Sequence, residues 1–187
     1  MKKALILIVG WPGSGKSYAA SVIKKHFYAK VFENGDIIRE EVRRRGLKNT
    51  PENDTKVRLW FHDGREHLIA KRMWGKIRNL KGIIVVVGVR NLKEAYVLKR
   101  LYRGRFIILR IDSSFKARAS RSIKRRRMGK ETVNYVRNRD KSEMGDLRGQ
   151  ARLLKMADYS LNNSKNTKRQ TEKKVVALMK LILPQTT

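Results

Sequence analysis

Eight consecutive residues, Gly10-Trp11-Pro12-Gly13-Ser14-Gly15-Lys16-Ser17, carry the spacing G-x-x-x-x-G-K-S. Glycine at 10, 13 and 15 permits backbone angles that a Cβ would forbid, so successive N–H groups can turn inward around a phosphate. Lys16 is spaced to reach β- and γ-phosphates, and the Ser17 hydroxyl to hold Mg²⁺. A helix starting near Lys16 adds the positive end of its dipole. The flanks agree, with the apolar run Ala4-Leu5-Ile6-Leu7-Ile8-Val9 before the loop and a helical pattern after it. A Gly-rich turn that binds nothing seldom satisfies every motif position and both flanks. The chemistry expected here is nucleoside triphosphate binding.

Phosphoryl transfer asks a protein for cations and alignment on both sides of the moving group. In a parallel sheet, ligands collect at the carboxyl ends of strands. The charged residues expected there are Asp36, Arg39, Arg90 and Asp112. Asp36 with Arg39 and Arg90 makes one acid and two cations, suited to a phosphorylated acceptor. Arg118, Arg121, Arg125, Arg126 and Arg127 recur at helical spacings of three and four, and Arg137 and Arg139 follow. Like charges so close destabilise a helix unless an anion neutralises them. They read as a lid closing over a triphosphate, or as an arm gripping RNA phosphates without sequence preference.

The elements that must position these residues are legible. Strands are expected at Ala4–Val9, Lys30–Glu33, residues 82–87, 105–111 and 159–161. The β-branched run Ile83-Ile84-Val85-Val86-Val87 suits a central strand buried on both faces. Helices are expected at Lys16–Phe27, then over 37–45, from the turn at 49–54 to about 79 with a break near Asp63-Gly64, and over 91–102. Further helices are expected over 114–127, 131–142, 147–156 and 168–183. Strands alternating with helices predict an α/β fold with a parallel sheet.

The chain has 187 residues, enough for one domain with a substantial core. It contains no cysteine, which excludes disulfides and thiolate metal sites. His62 and His67 are five apart and share no helix face, so no metal site is expected from the histidines. Trp60, Phe61 and Trp74 read as core of a helical insertion, with base stacking the alternative. No apolar run approaches a membrane span, the first strand leads straight into the phosphate loop, and a cytoplasmic location is expected. The charge stands out: 46 Lys and Arg against 16 Asp and Glu give a formal +30. Such a field attracts polyanions, RNA foremost; the bland alternative is a solvated basic surface.

Several stretches together resemble the P-loop small-molecule kinases. They are Gly10-Trp11-Pro12-Gly13-Ser14-Gly15-Lys16-Ser17, Asn34-Gly35-Asp36-Ile37-Ile38-Arg39-Glu40-Glu41, Lys71-Arg72, Gly88-Val89-Arg90, residues 118–127, Arg139-Asp140 and Ala157-Asp158-Tyr159-Ser160-Leu161-Asn162-Asn163. The chain is similar to adenylate kinase in general plan, and more closely to an archaeal family related to dephospho-coenzyme A kinase. The resemblance implies a P-loop NTPase three-layer fold with a five-stranded parallel sheet in order 2-3-1-4-5. It implies a single domain over 1–183, with an acceptor-binding insertion at about 36–80, a lid at about 113–145, and a tail at 184–187. Arg39 and Arg90 match arginines that hold the acceptor's phosphate, and Arg125 and Arg127 match lid arginines. Asp36 matches the acid that takes a ribose hydroxyl proton in dephospho-coenzyme A kinases. Asn162 and Asn163 lie where such kinases hold the donor adenine.

One position departs from the pattern. The strand before Gly88-Val89-Arg90 usually ends in an aspartate that orients the magnesium shell, and here it ends in Val87. The expected activity is transfer of phosphate from ATP (or GTP), with Mg²⁺, to a nucleoside monophosphate or dephospho-coenzyme A. The alternative is an RNA-associated ATP-binding protein or weak ATPase.

Overall fold

A computed structural model describes residues 3–125, 132–146 and 148–183. Five strands, β1 (Ala4–Val9), β2 (Lys30–Glu33), β3 (Ile83–Val87), β4 (Arg105–Asp112) and β5 (Tyr159–Asn162), form one sheet. The order is β2-β3-β1-β4-β5 and every pairing is parallel. This is the expected topology. All six residues of β1 are buried, because helices cover both faces of the sheet. Leu5, Leu7 and Val9 point into one core, and Ile6 and Ile8 into the other, as a period of two requires.

The second of those cores is closed by α1 (Lys16–Phe27) and α9 (Lys168–Ile182), through Ala19, Ile23, Val175 and Met179. A capping box fixes the start of α9: Thr167 Oγ1 accepts from the Gln170 amide, and the Gln170 side chain accepts from the Thr167 amide. The first core lies under α2 (Asn34–Arg44), α3 (Pro51–His62), α4 (Glu66–Ile77), α5 (Leu92–Leu101) and α8 (Arg148–Lys155). Two helices remain, α6 (Phe115–Arg125) and α7 (Val133–Asp146), where the lid was expected.

The expected helical stretch after residue 49 is two helices. Thr50 caps α3 with Pro51 in its first turn, and Gly64, at φ +75°, provides the break before α4. The helix expected over 37–45 begins earlier, at Asn34, with no loop after β2. Asn34-Gly35-Asp36 has turn chemistry, but Asn34 is buried and its side chain is engaged inside the fold. Trp60 lies between the guanidiniums of Arg45 and Arg65, 4.1 and 5.0 Å from its ring centre. Phe61 is fully buried, and Trp74 meets Tyr102 edge-on at 6.5 Å. These aromatics pack the insertion, as the periodicity predicts.

A fully covered carboxylate ties α2 to α4. Arg44, Arg45 and Arg72 donate to Glu41 at 2.7–2.8 Å. Arg44 foremost, with Arg45 and Arg72, holds the Glu41 carboxyl well below its ordinary range, against the opposing effect of burial. The walls of the insertion are thereby fixed to one another.

Candidate active site

The turn from β1 to α1 has Gly10, Gly13 and Gly15 at φ +147°, +77° and +105°. At Gly10 a Cβ would collide with the Ile111 carbonyl of the neighbouring strand, and at Gly15 with the Asn163 side chain. Only glycine fits either place. Helix α1 starts with no side-chain cap and no acidic residue in its first turn. Its terminal N–H groups are therefore uncapped donors, which suits an anion. Lys16 arches back over the loop, and its Nζ donates to the carbonyls of Gly10 (2.7 Å) and Trp11 (2.9 Å). The loop has the shape that its sequence predicts for phosphate.

Asn163 is a brace under this loop. It is buried; its Nδ2 donates to Ser14 O at 2.8 Å and its Oδ1 accepts from Thr171 Oγ1 at 2.7 Å. Its backbone amide donates to Asp112 O at 2.7 Å. Asn162 is exposed and shapes its own turn, accepting from the Ser164 amide.

Arg118 and Arg121, expected as lid cations, are occupied within the fold. Arg118 is buried and donates through Nη1 and Nη2 to Asp140 on α7, at 2.9 and 2.7 Å. It also reaches Ser113 O and Pro12 O. Arg121 donates to Gly13 O, Ser113 Oγ and Asn163 O. Asp140 and loop carbonyls thus do for these two arginines what a ligand anion would otherwise do. Arg127 and the side chain of Arg125 lie outside the described residues.

A cavity of about 610 Å³ opens beside the phosphate loop. Its floor is Lys16, Ser17, Val87 and Gly88; Arg39 and Arg90 line it from the ends of the β2 and β3 connections. Thr55, Arg58 and His62 enter from one face of α3, and Ser122 and Tyr135 from α6 and α7. The α3 trio was missed by motif reading, although spacings of three, four and seven put such residues on one helical face. Asp36 stands apart. It pairs with Arg39 at 2.6 Å, is about half exposed, and lines an adjoining groove of about 430 Å³ that shares Arg39 with the main cavity.

Glu94, in the first turn of α5, was missed as well. It is 1% exposed, lines the cavity beside Val87, and accepts from Asn34 Nδ2. Burial pushes its carboxyl up to about 8, against the lowering effects of Asn34 and Arg90. In sequence it is only an acidic residue three positions after the cap Asn91, which reads as helix capping. Because the folded state holds this proton more tightly than the unfolded chain, Glu94 makes stability fall as pH rises from about 4.5 to about 8. A decline on the order of 1 kcal/mol per pH unit is expected in urea unfolding across that window. Glu94→Gln should flatten it; an unaltered slope would contradict the assignment.

Among the described residues, no group of three or more His, Asp or Glu stands ready for a metal ion. Magnesium habitually takes one or two protein oxygens plus substrate phosphates; Ser17 fits that use directly, and Glu94 fits it on giving up its proton to the cation. No helix among the described residues is long and apolar enough to cross a membrane.

A sequence profile described as an AAA domain matches residues 9–148. The UPF0200 protein of Hyperthermus butylicus is 37% identical over 164 residues, covering 86% of each chain. The UPF0200/UPF0201 protein of Archaeoglobus fulgidus is 33% identical over 187 residues, covering 97% of this chain but 57% of that longer one. Among solved structures, shikimate kinase from Acinetobacter baumannii superposes with a TM-score of 0.61 at 14% identity, covering 99% of this chain and 97% of that one. At that identity the likeness shows the fold, which is that of the P-loop kinases. The chain belongs to the UPF0200 family and carries its P-loop kinase-like AAA domain.

Proposed function

We propose that the protein transfers the γ-phosphoryl group of ATP, with Mg²⁺, to a nucleotide-like acceptor, either a nucleoside monophosphate or dephospho-coenzyme A. One observation carries this reading: the uncapped start of α1 with Lys16 faces Arg39 and Arg90 across a single cavity. Cations on both sides are what a phosphate donor and a phosphorylated acceptor require. The loop amides and Lys16 bind the donor's phosphates, and Ser17 with Glu94 offers oxygens to the metal. When bound, Mg²⁺ neutralises phosphate oxygens and so supports charge developing during transfer. Arg39 and Arg90 align the acceptor, and the role proposed for Arg125 and Arg127 is to neutralise the γ-phosphate during transfer. In this reading the turn at Asn162 and Asn163 borders the donor's adenine, with Asn163 bracing the phosphate loop beneath it.

Asp36 is the proposed base when the acceptor is a ribose hydroxyl, and its ion pair with Arg39 at 2.6 Å orients the carboxylate at the cavity edge. Asp36→Asn should then lower the rate on dephospho-coenzyme A by about 10²-fold or more, within the range for a positioned base. A nucleoside monophosphate, already anionic, should be affected far less. Equal rates for variant and parent on a hydroxyl acceptor would remove Asp36 from this role.

Val87 favours a second reading, because the strand-end carboxylate is absent where the metal shell is usually oriented. In that reading the protein binds ATP, hydrolyses it weakly and associates with RNA. Hydrolysis without any acceptor product would favour it.

A further inference from the structure

We propose that the pole of the sheet opposite the phosphate loop is a second binding surface, one that takes the phosphate backbone of single-stranded RNA. A parallel sheet gathers all its strand N-termini at one end, and here that end is lined with cations. Lys30 opens β2, Lys81 precedes β3, Lys3 precedes β1, and Arg103 and Arg105 lead into β4. In the order β2-β3-β1-β4 this places a basic residue on every successive strand. Backbone pairing brings the starts of β1, β3 and β4 together, Ala4 N donating to Gly82 O and Arg105 N to Lys3 O, both at 3.2 Å, while Lys30 lies opposite Ile84, the second residue of β3.

All five side chains are exposed. None makes an ion pair with a carboxylate among the described residues. The segments 28–30, 78–82 and 102–105 contain no Asp or Glu at all. Asp158, before β5, lies beside the middle of β4 and is spent on the Ile108 amide at 2.7 Å. By contrast Glu33, Asp36, Glu94 and Asp112 lie at the other end, at or beyond strand C-termini. Both ends of the sheet carry cations, but carboxylates accompany them only at the phosphate-loop end, where Glu33, Arg39, Arg90 and Glu94 line one cavity. Lys3 lies over the Tyr102 ring at 5.5 Å, and a row of like charges without a carboxylate partner among the described residues costs stability that an external polyanion relieves.

Strands lie about 4.8 Å apart, so the row spans roughly 14 Å, enough for three or four phosphates of an extended strand. At the β2 end Tyr28 is 86% exposed, two residues before Lys30, and offers a face for a base. That aromatic beside a linear row favours RNA over an anionic bilayer, which would call for an exposed apolar helix face.

The test uses the full chain, a labelled oligouridylate, and vesicles of phosphatidylserine and phosphatidylcholine. Four neutralised phosphates predict a slope near −3 in log affinity against log salt, or about 50-fold weaker binding at 200 than at 50 mM. The triple variant Lys30→Ala, Lys81→Ala, Arg103→Ala should lose at least tenfold in RNA affinity and about two units of slope. Its ATP affinity should be unchanged, which also reports that the fold is intact. The proposal is overturned by absence of RNA binding, by RNA binding that the triple variant retains in full, or by vesicle binding without RNA binding. An acceptor assay that fails leaves this surface unaffected, since no residue of the row lines the active-site cavity.

Discussion

Lys16→Ala is expected to lower phosphoryl transfer by about 10²–10³-fold, the usual result of removing one preorganised charge from a developing anion. Lys16 has two tasks that the variant separates. Its ammonium spans the loop through the carbonyls of Gly10 and Trp11, and it is the cation nearest the start of α1. Loss of the first task alone would loosen the loop and weaken ATP binding. Loss of the second lowers the rate at saturating ATP, since the interaction strengthens in the transition state. Single-turnover transfer at saturating ATP is the informative measurement. A rate within a factor of two of the parent protein would place the chemistry elsewhere.

Asp140→Ala should destabilise the fold by about 3–5 kcal/mol, because it strands a buried guanidinium. Arg118 is enclosed, with Asp140 its one carboxylate partner among the described residues; it also donates to the carbonyls of Ser113 and Pro12 and lies over the rings of Trp11 and Phe115. The effect should also be felt at the nucleotide. The same guanidinium joins α6 and α7 to the phosphate loop, so ATP affinity should fall along with unfolding free energy. Replacing both partners by apolar residues, Arg118→Met with Asp140→Leu, should recover most of the stability. It should not recover ATP affinity, because the link to Pro12 is still missing. Urea unfolding and nucleotide titration on the three proteins check both parts. A destabilisation below about 1 kcal/mol for Asp140→Ala would show that Arg118 rehydrates freely.

The sheet was legible because its strands are short, apolar and bounded by glycine or charge. The runs 4–9 and 83–87 admit no other use, and the phosphate loop fixes the first βα unit around them. The start of α2 was not legible: Asn34-Gly35-Asp36 has the chemistry of a turn until Asn34 finds Glu94, sixty residues later. The arginine-rich segment misled in the same way. Spacing shows that Arg118 and Arg121 share a helix face, but not that Asp140, twenty-two residues on, waits opposite one of them. Glu94 was the costliest omission. A carboxyl in a helix's first turn is ordinary, and only the packing of α5 against α4 and α8, with Asn34 of α2 donating to Glu94, turns it into a buried acid in the cavity wall. Local pattern sets elements and faces; the protonation and pairing of a charged group are set by residues distant in the chain.

Transfer of labelled γ-phosphate, offered to AMP, CMP, UMP, GMP and dephospho-coenzyme A in parallel with Mg²⁺, tests the central claim most directly. The account predicts label in one acceptor, abolished by Lys16→Ala and strongly reduced by Arg39→Ala or Arg90→Ala. Label released only as free phosphate, at a rate indifferent to every acceptor, would contradict it.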